Sequence, residues 1–140
     1  MSLLTPKRRL HRKHHTGKIW GTTYKGTDVA FWDFGLKATS NAFMTNRQIE
    51  SARKVLVRYI RKIGKMWIRV FPDVPMTKKP LEQKMGKGKW DVDRWVCRIH
   101  KGRVLFEVSG VDRTMAEEMF KQASYKLPVT TRFVAKDEIK

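Results

Sequence analysis

The 140-residue chain carries 31 Lys+Arg against 13 Asp+Glu, a formal net charge of +18. Self-repulsion at that density opposes compaction, so a polyanionic partner is expected, nucleic acid first and an anionic membrane surface second. A hydrophobic share of 41%, with five Trp, seven Phe and three Tyr, excludes a simple disordered basic tail and predicts one domain with a modest packed core and basic extensions.

Residues 1–27 hold seven Lys/Arg and three His, and the first carboxylate is Asp28. The run from Lys7 to His15 lacks apolar periodicity, so this segment is expected to be extended or irregular and to order only against a partner. Residues 28–36 read as a strand with aromatic weight, including Phe31, Trp32 and Phe34. A polar stretch follows. Thr45 and Gln48 then form a capping-box pattern that opens a helix over 45–63. Ile49, Ala52, Leu56, Tyr59 and Ile63 make its apolar stripe, and Gly64 is its expected C-terminal cap. Arg47, Arg53, Lys54, Arg58, Arg61 and Lys62 occupy its other faces.

Lys65–Phe71 reads as a strand stopped by Pro72. Residues 72–90 read as a long loop punctuated by Pro72, Pro75, Pro80, Gly86 and Gly88, and a loop of that length in a small domain is usually functional or disordered. Val92–His100 and Val104–Val108, separated by the turn signal Lys101-Gly102, read as a hairpin. A second helix is expected after Gly110, capped by Asp112 or by Thr114 with Glu117. Met115, Met119, Phe120 and Ala123 should supply its buried side, Pro128 should end it, and Val129–Ala135 reads as a last strand. The expected fold is α+β: two helices packed on a mixed, mostly antiparallel sheet. Residues 1–27 would form a basic extension, residues 28–140 the domain, and residues 73–91 a loop facing RNA.

The candidate RNA-binding residues follow the charge. In the N-terminal arm they are Lys7, Arg8, Arg9, Arg12, Lys13, His15 and Lys18, whose cations would neutralise phosphates and release counterions. The competing readings are a solvated tail or an import signal. On the first helix they are Arg47, Arg53, Lys54 and Arg58, where Glu50 is the one carboxylate and opposite charges are not interspersed as on an ordinary soluble face. Lys65 and Arg69 join them from the following strand. In the loop they are Lys78, Lys79, Lys84, Met85, Gly86, Lys87, Gly88, Lys89 and Trp90. There the glycines permit positive φ and close backbone approach, and Trp90 could stack on a base or ribose. The loop lacks the Gly-x-x-x-x-Gly-Lys-Ser/Thr pattern of a nucleotide P-loop.

Other chemistry has little support. His11, His14 and His15 are loosely spaced among cations, so no metal is expected. Asp91 and Asp93 sit beside Lys89 and Arg94 and should make local ion pairs. Cys97, the single cysteine, reads as a small buried hydrophobe, and its isolation suits a reducing compartment. No apolar run nears the roughly 20 residues that span a bilayer, and the start lacks a signal-peptide core, although its acid-free basic character also suits mitochondrial import. No catalytic set and no cofactor pocket is visible.

Several blocks, in order, resemble one family. They are Pro6-Lys7-Arg8 with Arg12-Lys13 and His15; Gly26-Thr27-Asp28-Val29; Phe34-Gly35-Leu36-Lys37-Ala38; and Arg47-Gln48-Ile49-Glu50 with Ala52-Arg53. Most specific is Gly64-Lys65-x-Trp67-Ile68-Arg69-Val70-Phe71-Pro72-Asp73. Lys79-Pro80-Leu81, Met85-Gly86-Lys87-Gly88-Lys89, Trp95-Val96 and Lys126-Leu127-Pro128 complete the series. The chain thereby resembles the bacterial-type large-subunit ribosomal protein L-sixteen (universal name uL-sixteen) family. The resemblance implies an α/β-hammerhead type fold and a non-enzymatic role in the large ribosomal subunit. It implies binding to large-subunit ribosomal RNA near the peptidyl-transferase centre, where the arm and loop would help shape the aminoacyl-tRNA (A) site. Implied partners are that RNA, A-site and conceivably P-site tRNA, and neighbouring ribosomal proteins, with no membrane, cofactor or small-molecule substrate. Lys84 stands where the family often has an arginine, and Trp90 where it usually has glycine. Trp20 and Trp32 are also bulkier than the family pattern. This drift suits an organelle ribosome or a divergent bacterium and decides neither; the expected location is a ribosome, that of the mitochondrial matrix slightly ahead of the plastid stroma or bacterial cytoplasm. The alternatives are a non-ribosomal RNA-binding module or chaperone and, behind it, an RNA-modifying enzyme.

Overall fold

The computed structural model describes residues 4–31, 33–61 and 63–136. Trp32 and Lys62, which figure in the expected strand and helix, lie outside the described residues. The elements are β1 (Phe34–Ala38), β2 (Ala42–Thr45), α1 (Asn46–Ile60), β3 (Lys65–Ile68), β4 (Val74–Thr77), β5 (Val92–Ile99), β6 (Val104–Ser109), α2 (Arg113–Ser124) and β7 (Thr131–Ala135). They form an α+β fold with two antiparallel sheets, ordered β3-β6-β1-β7 and β2-β5-β4. The single mixed sheet expected from the sequence is thus two sheets, and among the described residues the one parallel contact is an isolated bridge between Thr22 and Lys101.

The capping box at the start of α1 is present. The Thr45 hydroxyl accepts from the Gln48 N–H at 3.3 Å, and the Gln48 side-chain oxygen accepts from the Thr45 N–H at 2.8 Å. Two donors that the first turn leaves unpaired are thereby satisfied. The buried stripe is Ile49, Ala52, Leu56 and Ile60. Ile63, expected on it, is exposed because the helix ends earlier, at Arg61, whose φ of 29° turns the chain. Gly64 is therefore not the cap. A Cβ there would lie 2.2 Å from the Ser109 carbonyl oxygen, so its role is close approach to the end of β6. On α2 the buried residues are Ala116, Met119, Phe120 and Ala123, with Ala116 where Met115 was expected. The Asp112 N-cap makes no side-chain bond to the helix backbone; it accepts from the Thr114 hydroxyl instead.

The expected hairpin of β5 and β6 does not form. Each strand already has a partner on both edges, β2 and β4 for one and β1 and β3 for the other. Between them Gly102 N–H donates to Ala38 O at 2.7 Å and Ala38 N–H to Arg103 O at 2.8 Å, so the chain crosses from one sheet to the other. β4 occupies the start of what reads as loop. Its Pro75 lacks an N–H, which is tolerated because β4 is an edge strand paired only with β5. The first strand begins at Phe34 rather than at Asp28, although Val29 is buried. One core joins both sheets to both helices: Leu36, Phe106 and Val108 meet Met44 and Ile99, with Ile49, Leu56, Met119 and Phe120 between. All six residues of β6 are buried, Glu107 among them.

Candidate nucleic-acid interface

Among described residues before β1 there is no helix and no named strand, yet several side chains are held against the body. Lys13 Nζ donates to Lys89 O at 2.9 Å, and Lys89 Nζ donates to His14 O at 2.7 Å. Asp91 lies 3.3 Å from Lys13 and 3.6 Å from Arg12. Arg98 Nη2 donates to His15 O at 3.3 Å, and the Arg9 guanidinium lies over the Trp95 ring at 5.7 Å. Arm and loop base are therefore stitched to each other and to β5. This differs from an arm that orders only against a partner, and the physical reason is local: Asp91 and the loop carbonyls offer the arm's cations acceptors within the chain itself.

The loop after β4 presents its charges outward. Lys78, Lys84, Lys87 and Lys89 are exposed, Met85 is nearly fully so, and Lys79 and Trp90 are half-buried. Gly86 and Gly88 take φ of 98° and 79°, as expected of these glycines, and Lys87 between them also takes a positive φ of 56°. Lys79 reaches back inside the loop, donating to Gly86 O at 2.6 Å. A Cβ at Gly86 or Gly88 would meet nothing within 4 Å, so space for close approach is open there.

The other candidates divide. Lys7, Arg8, Arg12, His15, Lys18, Arg47, Lys54, Arg58 and Lys65 are exposed, and Arg9 and Lys13 are half-buried. Arg47 shares a surface recess with Thr5, Arg94 and Trp95, which brings the start of α1 beside the arm. Two arginines are committed within the protein. Arg53 makes paired 2.7 Å bonds to Glu50, and these hold the Glu50 carboxyl below its ordinary range and raise the guanidinium. Arg69 is ion-paired to the buried Glu107 and stacks 5.1 Å over Phe31. Asp93 pairs with Arg94 at 2.7 Å, one of the local ion pairs expected, whereas Asp91 pairs with the arm instead of Lys89. Cys97 is buried, and burial pushes its thiol up.

Charge-run reasoning missed the basic residues on and after β5: Arg94, Arg98, His100 and Arg103. The available signal was period-two alternation, which puts Arg94, Arg98 and His100 on one face of the strand. Aromatic residues were also missed in the arm, where Trp20 is 81% and Tyr24 94% exposed amid lysines, a combination suited to stacking on bases.

The fold and this surface define a small α+β protein whose functional feature is a cationic face, with no group of three metal-binding side chains among the described residues. Residues 6–134 match the model of the family described as Ribosomal protein L16p/L10e, and the chain belongs to that family. It is 50% identical over 134 residues to the large ribosomal subunit protein uL16 of Thioalkalivibrio sulfidiphilus, covering 96% of this chain and 98% of that protein. It is 52% identical over 134 residues to the same-named protein of Aeromonas hydrophila, with the same coverage. With that of Halorhodospira halophila it shares 53% identity over 132 residues, 94% of this chain and 96% of the relative. These relatives are bacterial and lend no support to the organelle preference.

Proposed function

We propose that this protein is a structural constituent of the large ribosomal subunit that binds its ribosomal RNA, with the arm and the loop facing nucleic acid. The observation carrying this is that the family relationship spans nearly the whole chain, arm and loop included. The geometry supports it. Arm, loop base and β5 form one joined cationic surface, and phosphate neutralisation there would relieve the self-repulsion of the +18 chain. The protein performs no chemistry in this reading; it positions RNA and fills space between RNA segments.

The finer assignment is that the loop from Lys78 to Trp90 contributes to accepting aminoacyl-tRNA, with neighbouring ribosomal proteins packed alongside. Its outward lysines, exposed Met85 and three consecutive positive-φ residues suit an adaptable surface meeting a phosphate backbone. Sedimentation tests the core of the proposal. The protein should remain with large subunits through a high-salt wash; its absence from purified large subunits, or its recovery only in free RNA-protein fractions, overturns it.

A further inference from the structure

Between the arm and the two sheets lies a cavity of about 760 Å³, within the roughly 300–1,000 Å³ range of small-molecule clefts. Leu4, Arg9 and His14 line it from the arm, and Arg98, His100 and Arg103 from the body. Arg69 also reaches it, but its charge is offset by Glu107. Asp73 is the one carboxylate among the lining residues. Even with the histidines neutral, Arg9, Arg98 and Arg103 outnumber it.

Of these lining residues, Arg9 Nη1 and His14 Nδ1 are buried with no hydrogen-bond partner among the described residues. A buried guanidinium N–H without an acceptor is costly, and native proteins rarely leave one so. A cavity lined by Arg9, Arg98 and Arg103 against the single carboxylate of Asp73 is complementary to a compact anion with several acceptor oxygens. Phosphate is the group whose oxygens accept bidentate arginine bonds in this way.

We propose that this cavity is a phosphate site that takes a phosphodiester group of the RNA backbone, and that its occupancy pins the N-terminal arm to β5. Arg9 and Arg103 provide the principal contacts, one from each wall, so the anion bridges segments that already meet through Lys13, Lys89, Asp91 and the Arg98 bond to His15 O. Arg98 adds its positive charge, and His14 lines the same space. The inference rests on the RNA-binding reading and deepens it by naming where one phosphate sits.

The full-length protein is titrated with a short single-stranded RNA oligonucleotide and, separately, with inorganic pyrophosphate. Wild type is compared with Arg9→Ala/Arg103→Ala and with Lys121→Ala/Lys126→Ala, a control that removes the same charge from exposed positions at the end of α2 and in the turn after it. The cavity variant should lose about tenfold more RNA affinity than the control, beyond the loss both show from reduced charge. RNA should also slow tryptic cleavage after Lys7, Arg8 and Arg12 in wild type and control but not in the cavity variant. Arg103→Gln, which keeps the stem, serves if the double variant fails to fold. Equal losses in the cavity variant and the control overturn the phosphate site while leaving RNA binding intact. Failure of wild type to bind RNA overturns the functional reading itself. Protection by pyrophosphate but not by RNA would make the anion a free phosphate and overturn the backbone assignment.

Discussion

Glu107, fully buried in the middle of β6, is ion-paired to Arg69, 38 residues upstream, and the pair fastens the segment before β1 to the large sheet. The carboxylate also accepts from Ala30 N–H at 3.2 Å and Phe31 N–H at 2.7 Å. Arg69 donates in turn to Asp28 O at 3.4 Å and lies over the Phe31 ring, which stacks on Trp67. A buried carboxylate is tolerable only with such a set of donors. Replacing Arg69 by Met removes the counter-charge and leaves the acid in place. Urea unfolding should then show a loss of roughly 3–5 kcal/mol, the cost of an uncompensated buried charge. A loss under about 1 kcal/mol would mean that water replaces the guanidinium.

Gly64 gives a second prediction. A methyl group there would meet the Ser109 carbonyl oxygen, a backbone atom that cannot swing aside, and would crowd the Ile60 side chain at 3.1 Å. Gly64→Ala should therefore destabilise by about 1–3 kcal/mol. Thermal unfolding of the variant checks it, and an unchanged midpoint would show that β3 can shift against β6.

Cys97 should be chemically quiet. Desolvation raises its thiol above the ordinary value of 9.0 and keeps it protonated at neutral pH. Alkylation of the native protein should be slower than that of the denatured chain by on the order of a hundredfold. The folded thiol holds its proton more tightly than the unfolded one. The associated stability is therefore intact below pH 9.0 and is lost as the pH climbs through the raised folded value.

The loop prediction separates binding from folding. Lys84, Lys87 and Lys89 are exposed and outside the core. Changing all three to Ala should alter stability by no more than about 0.5 kcal/mol per site. Lys89 is the one to watch, because its Nζ also bonds to His14 O. Ribosomes carrying the triple variant should bind aminoacyl-tRNA more weakly; unchanged binding alongside an unchanged melt would remove the loop from the tRNA-facing surface.

Much of the fold was legible because its signals are local. Thr45 and Gln48 announce α1 from three residues apart, and the buried positions Ile49, Ala52 and Leu56 follow from helical spacing. The strand content of residues 65–68, 92–99 and 104–109 is visible in β-branched and aromatic runs. β4 was hidden because Pro75 reads as a loop residue unless its strand is known to lie at an edge. Lys101-Gly102 reads as a hairpin turn because nothing local reveals that β5 and β6 each have both edges taken. The candidate site was legible wherever charge is continuous in sequence, as in the arm and loop. It was hidden where cations are dispersed along β5 and after it.

The sequence by itself determined the charge surplus, its concentration in two segments, the two amphipathic helices and the family. All of these depend on composition or on residues within a few positions of each other. The tertiary structure alone decided that there are two sheets. It also decided that Arg69 serves Glu107, and that Lys13 and Lys89, 76 residues apart, lock the arm to the loop base. Those outcomes turn on which strand edges and acceptors remain unoccupied once the core closes, a global condition that no local periodicity encodes. The surplus of charge is therefore partly internal business. Some of its arginines hold the fold, as Arg69 does with Glu107 and Arg53 with Glu50.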